Sequence, residues 1–385
     1  VSTATVTATV NATGVFFLND LYPYYLPGQV IIADIVVVGG VIHIIDSVLI
    51  PGTIAQIAES NPLTNAVAGL AVQFGLADAI TGITMFLPTN AALLANLIAL
   101  SSVPGRTAKF IFEYHGITQS LFADIPTNPE TTGASVIFFN TTSFQLIINY
   151  GLLLDQMSNR VTDETGNTVN IIDLDIVGTD GTINIIDNFL FPFDISSIAS
   201  IDATAKATSD LTTLVTAYTA AGLDTTLALS NMVGLTIFAP TNSAFSKLAD
   251  GLIPYLLTNI TLLESVLSLH VYNGTLLAGD IVLLFNQGQP ITTLAGIDLI
   301  IGVTADSAAL TLTDPAGNVI TITTFDIFCT NGVVHLIDTV IESSPGAYDF
   351  TIADYLAVYN DTDIFAATFT ILTNVITSLP FLDFS

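Results

Sequence analysis

Asn331-Gly332-Val333-Val334-His335-Leu336-Ile337-Asp338 decides the fold of this chain, because the same pattern occurs three times. The first copy is Gly39-Gly40-Val41-Ile42-His43-Ile44-Ile45-Asp46, and the second is Asp180-Gly181-Thr182-Ile183-Asn184-Ile185-Ile186-Asp187. Each copy reads as a turn with glycine followed by a strand rich in β-branched residues. The central positions lie 141 and 151 residues apart, whereas solenoid repeats span only about 20–50 residues. The pattern therefore predicts repeated domains.

A second pattern precedes two of the three copies. It is Thr84-Met85-Phe86-Leu87-Pro88-Thr89-Asn90 in one repeat and Thr236-Ile237-Phe238-Ala239-Pro240-Thr241-Asn242 in the next. Its physical interpretation is a corner between a strand and a helix, in which proline keeps the chain extended and a polar side chain caps the helix. We expect Thr89 or Asn90 to cap the first of these helices and Asn242 the second. A histidine follows each corner, His115 in one repeat and His270 in the other.

These three motifs, in this order and at matching spacing, resemble the fasciclin domain family. The resemblance covers residues 52–193 and 194–344. It implies an α+β fold of tandem fasciclin-like domains, each a β-wedge or sandwich with several packed helices, in which the corner and the glycine-led strand lie side by side. It also implies extracellular adhesion or matrix work, secretion and no catalysis.

The two ends of the chain match parts of the same domain. Residues 1–51 resemble the last third of a fasciclin domain, and residues 345–385 resemble its opening, because Thr351-Ile352-Ala353 answers Thr53-Ile54-Ala55. Neither end can bury its apolar residues alone. We therefore expect the C-terminal segment of one copy to dock on the N-terminal segment of the next, giving a head-to-tail filament. The alternative is that the chain was cut from a longer array of repeats.

The composition excludes several classes of partner. The chain has 5 Lys+Arg against 33 Asp+Glu and a net charge of −28, so it lacks the clustered cations needed to bind nucleic acid or anionic lipid. The most apolar run, 30–51, contains Asp34, His43 and Asp46, and it predicts two strands rather than a membrane span. With only 10% charged residues, we expect glycans or other subunits to cover the surface.

The repeated strand contains the residues that could carry chemistry. His43 and His335 could be metal ligands or bases, or core side chains with hydrogen bonds. Asn184 occupies the same position and favours hydrogen bonding, because an amide can replace a ring nitrogen as an acceptor but is a poor ligand or base. Asp46, Asp187 and Asp338 end the strands, and we expect them to accept backbone N–H bonds. The histidines and the single Cys329 lack zinc-ligand spacing, and no cofactor is predicted.

Two weaker features remain alternatives. Asp173, Asp175 and Asp180 loosely resemble a calcium loop, although their spacing departs from the 12-residue pattern. Cys329 is either a buried small hydrophobe or a reactive thiol, and the lack of nearby cations favours the first.

Five Asn-x-Ser/Thr sequons could carry N-glycans: Asn11, Asn140, Asn259, Asn273 and Asn360. Chance alone gives about four in a chain of this composition, so the argument for glycosylation rests on the secreted context. We expect Asn11 and Asn273, in predicted loops, to be modified first. Asn259 has the alternative role of capping the helix that follows it.

Local periodicity predicts the individual elements. The predicted helices are 53–58, 63–79, 91–100, 211–221, 243–250 and 262–271, and the predicted strands are 4–10, 30–38, 134–140, 144–149 and 168–173, with a hairpin over 309–325.

Together these observations predict an extracellular structural or adhesive protein that polymerises with itself. The alternative is a monomeric secreted module that binds a cell-surface, matrix or polysaccharide ligand, and a hydrolase is a weaker third. The sequence does not identify ligand-binding residues.

Overall fold

A computed structural model describes ten parts of the chain, which are residues 6–11, 14–19, 28–46, 52–76, 83–117, 133–136, 150–155, 159–224, 234–304 and 309–344. The chain divides into two compact units, Val1–Ile198 and Ala199–Ser385. The predicted strand at 144–149 and the whole of 345–385 lie outside the described residues. The four predicted domain ranges, 1–51, 52–193, 194–344 and 345–385, stay predictions.

The N-terminal part of the first unit is a four-stranded antiparallel sheet. Its strands are β1 (Val6–Asn11), β2 (Gly14–Asn19), β3 (Gly28–Val37) and β4 (Gly40–Ile45), in the order β1-β2-β3-β4. The apolar run that begins at Val30 therefore forms strands, as predicted.

In the rest of the first unit, the described residues form four helices and a seven-stranded sheet. They are α1 (Ile54–Ser60), α2 (Asn65–Gln73), β5 (Ile83–Pro88), α3 (Asn90–Ser101), α4 (Gly105–Glu113), β6 (Gly116–Ile117), β7 (Gly133–Val136), β8 (Tyr150–Asp155), β9 (Arg160–Thr162), β10 (Thr168–Val177) and β11 (Gly181–Ile186). The strand order is β6-β5-β11-β10-β9-β8-β7.

The second unit repeats this arrangement. Its elements are α5 (Ile201–Ala207), a 3₁₀ turn (Ser209–Leu211), α6 (Thr212–Ala220), β12 (Leu235–Pro240), α7 (Asn242–Phe245), α8 (Leu252–Thr258), α9 (Ile260–Leu269), β13 (Val271–Asn273), α10 (Ala278–Asn286), β14 (Ile291–Thr292), β15 (Asp298–Val303), β16 (Leu310–Thr313), β17 (Val319–Cys329) and β18 (Gly332–Ile337). The strand order, β13-β12-β18-β17-β16-β15-β14, matches that of the first unit position by position.

A parallel strand pair occupies the second and third positions of each seven-stranded sheet, and its glycine-led member, β11 or β18, is named the central strand of its domain. β5 pairs with β11, and β12 pairs with β18, over six residue pairs each. In the first unit, Ile183 and Ile185 pack with helices α1 and α2 on one face, while Ile186 packs with Phe86 on the other. Burial on both faces explains why these strands read as continuous apolar runs rather than as alternating patterns. The expectation that the corner and the glycine-led strand lie side by side is confirmed.

Most predicted elements are present, with three differences. The helix predicted over 63–79 is too long, because α2 ends at Gln73, before Gly75 at φ +69°. The other two differences lie in the second unit. The helix predicted over 243–250 is wrong, because α7 ends at Phe245 and Gly251, at φ +86°, precedes the separate helix α8. The cap predicted for Asn242 is also wrong, since Thr241 occupies that position and its hydroxyl accepts the Ala244 N–H. Thr241 adopts the extended backbone of an N-cap, whereas Asn242 is already helical.

A bulge recurs in the strand that precedes each glycine-led strand. Asp34, Asp175 and Asp326 have φ of 59°, 60° and 54°, and each lies at a register shift in its strand pair. Aspartate tolerates this left-handed conformation better than most residues. The bulge turns a backbone N–H toward the neighbouring strand.

Within the described residues, no single helix is both long and apolar enough to cross a membrane. The successive helices α8 and α9 would be long and apolar enough only if they formed one span, and they are bent by 113° relative to each other.

Candidate functional site

Each Pro-Thr-Asn corner fixes two helices. In the first unit, the Thr89 hydroxyl accepts the Ala92 N–H at 3.1 Å and so caps α3. The Asn90 side chain instead accepts the Ala66 N–H at 2.9 Å and donates to the Pro62 carbonyl at 2.9 Å. It therefore holds the start of α2, which lies earlier in the chain. Pro88 is the last residue of β5.

The second corner has the same division of roles. Asn242 accepts the Thr213 N–H at 3.0 Å and donates to the Ser209 carbonyl at 3.1 Å, which ties the start of α6 to the end of β12. Pro240 ends that strand. The local cap is encoded in adjacent residues, but the connection from asparagine to the preceding helix spans about thirty positions and was missed from the sequence.

His335 lies in β18, with its ring fully buried. Nδ1 accepts a hydrogen bond from the Asp326 backbone N–H at 3.1 Å, and Nε2–H donates to the Leu276 carbonyl at 2.8 Å. This pairing requires a neutral ring with its proton on Nε2. Burial lowers the pKa of His335 to about 4.

The same hydrogen bond recurs in the other two copies of the motif. The Asp175 N–H donates to Asn184 Oδ1 at 2.9 Å, and the Asp34 N–H donates to His43 Nδ1 at 3.2 Å. Asparagine therefore replaces histidine as the acceptor for the bulge. The sequence analysis missed the shared role of the three bulge aspartates, although their positions repeat at the same 141- and 151-residue spacing as the motif.

His115 and His270 perform a different task with the opposite tautomer. In each ring, Nδ1–H donates to a helix carbonyl, that of Ile111 at 2.7 Å or Val266 at 2.8 Å. Nε2 accepts a backbone N–H from the segment after the central strand, Leu190 at 3.0 Å or Ile341 at 2.9 Å. Burial lowers the pKa of both rings to about 4.

Two aspartates bind the same segment after the central strand, and the sequence analysis did not predict this role. Asp163 Oδ2 accepts the Phe191 N–H at 2.9 Å, and Asp314 Oδ2 accepts the Glu342 N–H at 2.8 Å. Each histidine and aspartate thus bind two consecutive amides of the segment that closes the domain. The available signal was that Asp163 and Asp314 are 151 residues apart and each precedes a Gly-Asn turn.

The aspartates that end the central strands also bind backbone. Asp187 Oδ1 accepts the Asn170 N–H at 2.8 Å, and Asp338 Oδ1 accepts the Thr321 N–H at 2.8 Å. Asp46 follows β4 in the same sequence position. The carboxylates of Asp187 and Asp338 hold the end of the central strand against its antiparallel neighbour, β10 or β17.

The remaining candidates for chemistry have structural roles. Asp180 Oδ1 accepts the Ile54 N–H at 2.7 Å, and Asp175 forms the bulge. In the described parts of the chain, no group of three or more His, Cys, Asp or Glu side chains could hold a metal ion. Cys329 is fully buried, and burial raises the pKa of its thiol to about 11, so the prediction of a buried small hydrophobe is confirmed.

Two small cavities lie in the core of the second unit. They measure ≈ 20 and ≈ 50 Å³ and are lined mainly by aliphatic side chains, with His270 in both. Ligand pockets usually measure about 300–1,000 Å³, so neither is a site for a small organic ligand.

The sequons differ in their settings. Asn11 and Asn273 are each the last residue of a strand, β1 and β13, rather than loop residues. Asn273 is exposed. The Asn259 side chain accepts the Leu262 N–H at 3.3 Å, which is its alternative role as the cap of α9. Asn140 and Asn360 lie outside the described residues.

We expect His335→Asn to cost less than about 1.5 kcal/mol of unfolding free energy at pH 7, because Asn184 already performs this role. His335→Leu should cost about 1–3 kcal/mol, since it leaves the Asp326 N–H and the Leu276 carbonyl unpaired. Reaction of buried Cys329 with a disulfide reagent, followed against urea, measures opening of the second unit. Equal destabilisation by both substitutions would contradict the hydrogen-bond account.

The geometry defines a class of protein: repeated α+β domains whose buried histidines, asparagines and aspartates bind backbone. Comparison with known proteins identifies the family. The fasciclin domain model matches residues 62–192 and 209–343, and the chain belongs to the fasciclin domain family.

Several relatives share parts of the chain. Human periostin is 30% identical over 193 residues, which are 50% of this chain and 21% of periostin. Transforming growth factor-beta-induced protein ig-h3 from Sus scrofa is 28% identical over 203 residues, 52% of this chain and 27% of that protein. The uncharacterized protein sll1735 of Synechocystis sp. is 36% identical over 133 residues, 34% of this chain and 86% of that protein.

The chain thus spans only about a fifth to a quarter of periostin and ig-h3. Among solved structures, a FAS1 domain pair from the insect cell adhesion molecule fasciclin I matches with 17% identity and a TM-score of 0.37, covering 71% of this chain and 92% of that one.

Proposed function

We propose that this chain works outside the cell as a structural or adhesive protein without catalytic activity, and that its copies associate head to tail. Membership of the fasciclin family supports an adhesive role, since the resemblance implies extracellular matrix work. The whole protein's partners are part of the proposal.

The use of the titratable residues supports a role without catalysis. The rings of His115, His270 and His335 are buried, and both nitrogens of each make hydrogen bonds to backbone. A general base needs a nitrogen that can take a proton from a substrate. We infer that these rings stabilise the fold.

The main observation in support of self-association is the exposed apolar surface of the N-terminal sheet. Ile31 is 62% exposed, Val36 80% and Val38 108%. Neighbouring side chains of β3 and β4 are also exposed, namely Ile32, Ile35, Val37, Val41, Ile42 and Ile44. So many exposed apolar side chains on two paired strands mark an interaction site, and an edge strand such as β4 can pair with another chain.

Sedimentation and electron microscopy of the full chain test this proposal. We expect concentration-dependent, ordered assemblies, which disappear when residues 346–385 are deleted. Hydrogen exchange of the deleted form should show that the central elements of both units stay protected. A full chain that remains monomeric at high concentration would contradict self-association. Binding of that monomer to a polysaccharide would favour the alternative of a monomeric adhesion module.

Extracellular location predicts N-glycans on the native protein. We expect two or more of the five sequons to be occupied, with Asn11 and Asn273 first. Intact mass before and after deglycosylation measures this, and Asn273→Gln should remove the mass of one glycan. Asn259→Gln is the matched control and should leave the mass of the glycans unchanged. A native mass of 40.5 kDa, that of the unmodified chain, would contradict the prediction.

A further inference from the structure

β4 is a copy of the central strands β11 and β18, but no parallel strand pairs with it among the described residues. Like them, it follows a glycine turn and receives a hydrogen bond from a left-handed aspartate in the preceding strand. In the described part of the chain, β4 pairs only with β3. β11 and β18 each pair on their other edge with a parallel strand, β5 or β12.

The side chains of β4 show the same gap. Ile42 is 50% exposed, whereas Ile183 and Val334, in the same position of the other copies, are each 1% exposed. Ile44 is 42% exposed, whereas Ile185 is 1% exposed. In the first complete repeat this face is covered by α1 and α2. The missing cover is therefore a helix pair as well as a strand.

Gly40 adds a steric observation. A Cβ on Gly181 would lie 2.5 Å from the carbonyl oxygen of Ile83, and a Cβ on Gly332 would overlap that of Leu235. The parallel strand approaches so closely that only glycine fits there. A Cβ on Gly40 would meet nothing within 4 Å. The sheet thus keeps the glycine that a parallel strand requires, with no strand beside it among the described residues.

We propose that the edge and face of β4, which no other described strand or helix covers, receive residues 350–385 of a second copy, with that segment adding a parallel strand beside β4. This inference rests on the self-association proposed above and specifies its interface. The two complete repeats provide the template, since they show which elements cover the equivalent strand.

The sequence of the segment fits the template at a constant offset of 298 residues. Thr351 corresponds to Thr53, whose side chain caps α1, and Thr362 corresponds to Thr64, the residue that directly precedes α2. Ile352 then takes the place of Ile54, which is fully buried.

The offset also sets the register of the added strand. Residues 381–385 correspond to 83–87, so Phe381 lies opposite Gly40 and Phe384 opposite His43. Phenylalanine holds the equivalent position in both complete repeats, where Phe86 pairs with Asn184 and Phe238 pairs with His335.

The template and the segment differ at two points, and both weaken the contact. Asp383 replaces Met85, which is 9% exposed in the core. Gly39 replaces Asp180, whose carboxylate accepts the Ile54 N–H at 2.7 Å. The added segment therefore lacks one apolar side chain and one hydrogen bond, so we expect reversible association rather than a permanent joint.

Disulfide trapping between copies tests the register. Val41→Cys is introduced in one preparation and Leu382→Cys in another, because the equivalent residues Thr182 and Thr84 are paired. Mixing the two preparations with oxidised glutathione should give a covalent dimer. Each variant carries only one of the two introduced cysteines, so a disulfide that joins them can form only between copies. Ala249→Cys, at an exposed position of the second unit, replaces Val41→Cys as the control and should give at least tenfold less dimer.

Gly40→Ala tests the parallel strand itself. Because the added Cβ meets no described atom within 4 Å, folding should be unchanged, while association should weaken at least tenfold. Persistent assembly with this variant and no trapped dimer would overturn the proposed interface but leave self-association intact. A monomeric full chain would overturn both proposals. A further variant carries both cysteines in one chain. If it gave only a cross-linked monomer, the segment would fold back on its own copy, and the proposal would be overturned.

Discussion

Between pH 7 and pH 4, protonation of buried histidines should lower the free energy of unfolding of the second unit about twice as much as that of the first. His270 and His335 lie in the second unit and His115 in the first, and burial lowers the pKa of each to about 4. An unfolded histidine binds its proton near pH 6.5, so between these values the unfolded state holds more protons. Stability is therefore full above about pH 6.5 and falls as the pH drops toward 4.

Each buried ring should remove about 1.4 kcal/mol per pH unit, or about 3 kcal/mol over this range. Partly exposed carboxyls act in the opposite direction, because burial raises the pKa of Glu342 in the second unit and of Asp173 and Asp175 in the first. The folded state then takes up their protons first, which offsets part of the loss. Solvent screening at these sites keeps that compensation small.

Pulsed hydrogen exchange with mass spectrometry, after equilibration in urea at several pH values, resolves the two units in the full chain. His335→Asn is the matched variant, because it keeps the acceptor for the bulge but cannot bind a proton in this range. It should roughly halve the acid-induced loss in the second unit and leave the first unchanged. If the free energy of unfolding of this variant fell with pH as steeply as that of the unchanged chain, protonation of His335 would not be a cause of the acid destabilisation.

Gly332→Ala should destabilise the second unit by about 3 kcal/mol or more. The added Cβ would overlap the Leu235 carbonyl oxygen and lie 2.8 Å from the Leu235 nitrogen. Both are backbone atoms of β12, which is held to β18 by six residue pairs. Neither atom can move aside without breaking the central pairing. We expect the urea midpoint for exposure of Cys329 to fall accordingly.

The chain contains matched controls for this substitution. Gly181→Ala should damage the first unit in the same way, since its Cβ would lie 2.5 Å from the Ile83 carbonyl oxygen. Gly40→Ala should change unfolding by no more than about 0.5 kcal/mol, as for other open surface positions. If all three substitutions had similar effects on unfolding, close approach of the parallel strand would not be the reason for the glycine that all three copies share.

Sequence by itself determined the repeats, the α+β class and most elements, because these depend on local signals. The glycine turns, the β-branched runs and the Pro-Thr corners are each encoded within a few residues. The replacement of His335 by Asn184 in an equivalent position was enough to favour a hydrogen-bonding role over a metal ligand.

Tertiary structure alone decided which distant groups meet. The bond from Asp163 to Phe191 joins residues 28 positions apart, and the bond from Asp180 to Ile54 joins residues 126 apart. Neither has a local pattern, since a carboxylate in a turn looks the same whether its second oxygen binds solvent or a buried amide. The burial of the glycine-led strand was likewise undecided by the sequence. Ile42 and Ile183 occupy the same motif, yet Ile183 is buried under two helices beside a parallel strand, whereas Ile42 is half exposed with no parallel strand among the described residues.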